Sequence, residues 1–149
     1  MDEDNKIKYK ENASSYINEI GKIDSDIRDV VDNSLRREVI FGDRFPLRYF
    51  VDEYGLSYYA AFPGCSEQTE ASAKTISFLI DKAKFDHIPV IFKIELSNGK
   101  IAKEIASDAN AKVLEFGSCH NVSLEDFNNG VTYVDIMKKN IDVLKEALN

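Results

Sequence analysis

The residues best equipped for chemistry lie in one short stretch, Val113-Leu114-Glu115-Phe116-Gly117-Ser118-Cys119-His120-Asn121. An apolar run of strand type meets a Gly-Ser turn signal. The turn carries one of only two cysteines and one of only two histidines in the chain. Thiolate and imidazole are preferred ligands of zinc and other borderline-soft metals. A plainer role stands beside this one: Cys119 packing as a small hydrophobe and His120 serving as an ordinary loop residue. A nucleophile–base pair is the third possibility. Adjacent side chains usually point apart, however, and no orienting acid or oxyanion loop accompanies them, so the pattern argues against an enzyme.

The elements that must position this stretch read from the chain in order. Tyr9, Ala13, Tyr16, Ile20, Ile23, Ile27 and Val30 step by three and four, which predicts a long amphipathic helix with one narrow buried face. Its heptad spacing also fits a coiled coil. The stripe ends near Leu35 and runs straight into an apolar segment, which favours a helix lying along a larger body. Glu38–Gly42 is a short continuous apolar strand of the type buried on both faces. The loop Asp43-Arg44-Phe45-Pro46 follows, then a short helix through Leu47, Phe50, Val51 and Tyr54, ended by Gly55. Ser57–Phe62 is the second strand. The loop Cys65–Glu70 leads from it to a helix turning Ala73, Ile76, Leu79 or Ile80, and Ala83 inward. Pro89–Ile94 is the third strand, with Ser97 or Asn98 able to cap a helix that buries Ile101, Ala102 and Ile105. Val113–Phe116 is the fourth. Ser123-Leu124-Glu125-Asp126 has capping-box spacing for a single helical turn. The last helix then buries Tyr133, Met137, Ile141, Leu144 and Leu148.

This alternation predicts an α/β fold: a four-stranded parallel sheet with helices on both faces, behind one long backbone helix. Residues 1–36 form that helix and residues 37–149 the α/β lobe, as one structural unit. Ligands of open parallel sheets bind at the carboxyl edge of the strands. The loops at that edge carry Asp43-Arg44, Cys65, Glu95 and Cys119-His120, so both cysteines and one histidine share it. His87 precedes a strand, on the opposite edge, and reads as a surface residue.

A formal net charge of -7 in 149 residues argues against nucleic acid as a partner, because such binders present a basic face. No apolar run reaches bilayer-spanning length. The acidic opening Met1–Lys6 is not a signal peptide, which implies cytoplasm unless the chain is cut from a longer precursor. Glycine-rich phosphate loops are missing, which weakens any nucleotide-binding version of the fold. A stand-alone flavodoxin-like interaction domain without metal is the alternative reading.

Several motifs in order carry a resemblance. Val39 to Phe50 with Asp52-Glu53-Tyr54-Gly55-Leu56 resembles the start of the C-terminal lobe of zinc/manganese ABC-transporter solute-binding proteins. Thr69-Glu70-Ala71-Ser72 is similar to that family's acidic-Pro-Ser helix entry, with Ala71 where proline is usual. Gly130-Val131-Thr132-Tyr133, Met137, Asn140 and Val143–Leu148 resemble its closing helix. Asp4-Asn5 with Tyr9, Asn12 and Tyr16 looks like the start of the helix joining its two lobes. The resemblance implies a C-terminal lobe whose N-terminal partner lobe, with two histidine ligands, is not in this chain. It implies one ligand after the first strand, at Arg44, and one after the last, at Cys119 or His120. Arginine cannot bind a cation, so Asp43 is the nearest substitute. With Cys65 added from the shared carboxyl edge, the expected metal set is His120, Cys119, Cys65 and Asp43, and a Cys or His donor in place of a carboxylate favours zinc over manganese. The implied partners are the metal ion, an ABC permease and the missing lobe. The implied setting is the extracellular face of the membrane or the periplasm, reached only through an anchor outside this chain. There, a disulfide between Cys65 and Cys119 is the expected state if their Cα atoms come within about 7 Å, and it would withdraw both as ligands.

Overall fold

The computed structural model describes residues 2–62 and 71–149. The elements are α1 (Lys6–Asp32), β1 (Glu38–Arg44), α2 (Arg48–Tyr54), β2 (Ser57–Phe62), α3 (Ala73–Phe85), β3 (Val90–Ile94), α4 (Lys100–Ala109), β4 (Lys112–Phe116), α5 (Leu124–Asn128) and α6 (Tyr133–Leu148). The four strands pair in parallel in the order β2-β1-β3-β4. The predicted α/β sheet is therefore present, and it carries helices on both faces.

Strand periodicity explains how two cores arise from one sheet. Val39, Phe41, Val90 and Phe92 point to one face, where Ile23, Ile27 and Val31 of α1, Val51 of α2 and Leu144 and Leu148 of α6 meet them. Ile40 and Ile91 point the other way, into Leu79 and Ala83 of α3 and Ala102 and Ile105 of α4. Rings of Phe41, Phe92 and Phe116 pack with centroids 5.2–6.1 Å apart, closing the first core beneath the carboxyl edge.

Three expectations about buried faces need correction. In α1, only Ile23, Ile27 and Val31 are buried, and every residue from 2 to 22 is exposed, including Tyr9, Ala13, Tyr16 and Ile20. The apolar stripe runs on past the end of the lobe, so its first half has nothing beneath it among the described residues. In α3, Ala73 lies at the exposed first turn. In α6, Tyr133 is exposed and Ile141 only half-buried, whereas Val134, Asn140 and Ala147 join Met137, Leu144 and Leu148 inside. The first strand also runs longer than expected. Asp43 and Arg44 belong to β1 rather than to the loop after it.

The local endings match their chemistry. Gly55 caps α2 in the left-handed region. The Ser123 side chain accepts the Asp126 N–H at the start of α5, and Thr132 with Asp135 forms a reciprocal capping box on α6.

Candidate metal-binding edge

The carboxyl ends of β1, β3 and β4 meet at one edge. Gly42 lets α4 lie directly on β1: a Cβ there would stand 2.3 Å from the Ala102 Cα. One residue on, Asp43 is only 9% exposed. Its Oδ1 accepts the Arg44 N–H at 2.8 Å, and its Oδ2 has no hydrogen-bond partner among the described residues. Arg44 is exposed at the strand end.

From β3 the edge receives Glu95, whose carboxylate reaches across to the loop after β4. Its Oε2 accepts the Ser118 N–H at 2.7 Å and its Oε1 accepts the Ser118 hydroxyl. Burial works to raise the Glu95 carboxyl, but hydrogen bonds from Ser118, joined by the backbone of Glu95 and Asn121, outweigh it and hold the group below the usual glutamate value. In the β4 loop, Cys119 adopts φ 62°, the left-handed region, which costs an L-residue about 1–2 kcal/mol. Its thiol is half-buried against the first core and lies 3.9 Å from the Gly117 carbonyl. Burial, and behind it the Glu95 charge, push that thiol up. His120 is exposed and donates its backbone N–H to the Ser118 Oγ at 3.3 Å.

Two cavities adjoin at this edge. The larger, about 520 Å³, is lined by Asp43, Arg44, Glu95, Asn98, Lys100 and Asn121 with apolar neighbours. The smaller, about 260 Å³, is lined by Glu95, Cys119, Asn121, Asp126 and Asp135 among others. Glu95 and Asn121 belong to both.

The sequence-derived candidates are thus divided rather than gathered. Asp43 faces the larger cavity and Cys119 the smaller, and His120 lines neither. Cys65, its place in the metal set and its bridge to Cys119 fall outside the described residues. Among the described residues, no three His, Cys, Asp or Glu side chains converge as metal ligands. Sequence reasoning placed Glu95 at this edge but gave it no role. The sign that could have raised it is a carboxylate directly after a largely apolar strand at the carboxyl edge of the sheet. Asn140 was read as part of a motif only, although a lone amide at core spacing between Met137 and Leu144 marks a polar group that must find buried partners.

An open parallel sheet with adjoining cavities at its carboxyl edge is the architecture of a ligand-binding α/β lobe. Residues 1–147 match the family described as "zinc-uptake complex component A periplasmic" (ZnuA), and the chain belongs to it. It is 32% identical over 148 residues to the high-affinity zinc uptake system protein ZnuA of Bacillus subtilis, covering 99% of this chain and 46% of that protein. The zinc-binding lipoprotein AdcA of Streptococcus pneumoniae is 24% identical over 144 residues, with 97% and 28% covered. The chain therefore spans half or less of the length of these curated relatives. Among solved structures, the metal-dependent lipoprotein YcdH of Bacillus subtilis superposes with a TM-score of 0.82 at 32% identity, covering 99% of this chain and 55% of that one. The Zn(II)-bound ZnuA-like domain of Streptococcus pneumoniae AdcA superposes at 0.76 with 23% identity, over 97% and 54%, and shows the shared fold.

Proposed function

We propose that this chain is the C-terminal lobe, with its connecting helix, of an extracellular zinc receptor that hands metal to an ABC importer. The observation that carries the proposal is the family match over residues 1–147, falling on a lobe whose carboxyl edge holds Asp43, Glu95 and Cys119 around two cavities. Relatives named for zinc uptake and zinc binding support zinc as the cargo. Cys119 and His120 supply soft and borderline donors that favour zinc over manganese, with Asp43 as a carboxylate donor and Cys65 as a further candidate. A tetrahedral zinc site needs more ligands than this edge brings together, so an N-terminal lobe completes it. The exposed first half of α1, with Tyr9, Tyr16, Ile17 and Ile20, leaves apolar surface that such a lobe would cover. The permease is the second partner. The setting is the outer face of the membrane or the periplasm. Binding and delivery need no bond-making step, and the exposed His120 beside a protonated Cys119 makes a poor nucleophile–base pair, so no enzymatic role is proposed.

The test is zinc affinity in a protein with both lobes, rebuilt by joining this chain to a relative's N-terminal lobe. His120→Ala should weaken zinc binding at least ~tenfold, while His87→Ala, at the opposite edge of the sheet, should leave it unchanged. Equal affinity in the two variants would remove His120 from the site and pass its role to Cys119.

A further inference from the structure

We infer that Glu95 and Asn140 are the positioning residues of the Gly117–Asn121 loop, clamping it from two sides so that its donors stand in place before the metal arrives. The inference rests on the reading of Cys119 and His120 as zinc-facing groups. β4 is an edge strand, so one side of its end lacks a neighbouring strand. Asn140 of α6 is only 2% exposed and fills that role. Its Oδ1 accepts the Gly117 N–H at 2.8 Å and its Nδ2 donates to the Gly117 carbonyl at 2.8 Å. This is the pair of bonds a strand would have made. Gly117 itself has no room for a side chain, since a Cβ would stand 2.5 Å from Ile136 Cγ2.

From the other side, Glu95 takes both the N–H and the hydroxyl of Ser118, and the same hydroxyl oxygen receives the His120 N–H at 3.3 Å. Between these two clamps Cys119 is held at φ 62°. Each Glu95 oxygen already accepts a hydrogen bond from Ser118. The carboxylate's hydrogen bonds are made to the loop, so its effect on metal is assigned through Ser118. Ligands fixed in this way lose less freedom on binding, which is how partners behind the ligands gain affinity.

The test follows zinc titration of the reduced chain by NMR, reading the His120 ring and the exchange of the Gly117 and Ser118 amides. Glu95→Gln keeps an oxygen for the Ser118 N–H and an amide donor for its hydroxyl, while removing the charge. Glu95→Ala and Asn140→Ala should each weaken zinc at least ~tenfold and speed amide exchange in the loop at least ~tenfold. Glu95→Gln should stay within about threefold of the parent in both readings. If the Gln variant loses zinc as far as the Ala variant while its amides stay protected, Glu95 is a ligand and the inference is overturned. Parent-like zinc affinity in Glu95→Ala overturns it too. The Glu95 pair decides the matter if Asn140→Ala does not fold, because Glu95 is only half-buried. If zinc moves no loop resonance of the parent chain, the zinc reading itself fails. Unchanged amide exchange in Glu95→Ala would then overturn the clamp independently.

Discussion

Cys119 combines two features that work against each other. Its place beside the smaller cavity suits a ligand, yet burial and the Glu95 charge keep its thiol protonated at neutral pH. Zinc binds the thiolate, so metal must displace that proton. Because the folded value is raised, the thiol proton is still present above pH 7. Zinc affinity should therefore climb by about tenfold per unit between pH 7 and 8.5. A flat profile over that range would show that Cys119 contributes no bond. Gly117 makes a second prediction at this scale. Gly117→Ala drives a methyl to 2.5 Å from Ile136 Cγ2, and overpacking of this kind costs about 1–3 kcal/mol. The urea midpoint should fall with an unchanged slope, and no shift in midpoint would mean that Ile136 gives way freely.

Among the elements, α1 and α6 teach opposite lessons. Residues 6–22 of α1 are exposed, so the lobe draws α1's share of stability from Ile23, Ile27 and Val31. Deleting residues 2–19 should lower helical signal in circular dichroism and leave the melting temperature of the lobe within about 3 °C. A fall well beyond that would show that the exposed half contributes to the fold after all. The start of α6 depends on its cap. Thr132→Ala removes the acceptor for the Asp135 N–H and should cost about 1 kcal/mol in denaturant unfolding. The Asp135 carboxyl sits below its ordinary value because it accepts from the Thr132 side chain and backbone. A lowered folded value places that contribution above the ordinary aspartate range and removes it as pH falls through the folded value. The stability gap between parent and variant should therefore be full at pH 7 and narrower near pH 3; a gap that ignores pH would assign the cap to the hydroxyl alone.

At the scale of the whole molecule, the proposed cleft would be shared with a second lobe. The chain's candidate donors Asp43 and Cys119 line different cavities, of about 520 and 260 Å³, and the described residues include no converged ligand set. The chain alone should bind zinc weakly, with a dissociation constant above about 1 μM in reduced buffer, because structural zinc sites normally close with four ligands. One-to-one binding by a monomer at tighter concentrations would show that a complete site already exists here.

Alternating apolar runs and helical spacings were enough to specify the sheet, its parallel sense and the edge where the strands' carboxyl ends meet. Each follows from local periodicity and the handed crossover, which the chain carries in every βαβ unit. The motifs from Val39 to Leu56 and from Gly130 to Leu148 also carried the family resemblance, because they are read residue by residue. Which half of the α1 stripe is covered was not legible, since an amphipathic face has the same spacing whether or not a partner lies beneath it. Nor was the role of Glu95 or Asn140. Each acts on a segment 23 positions away along the chain, through bonds to Ser118 and Gly117. Such bonds exist only once β3, β4 and α6 have packed side by side, so tertiary structure alone decided how the loop bearing Cys119 and His120 is held.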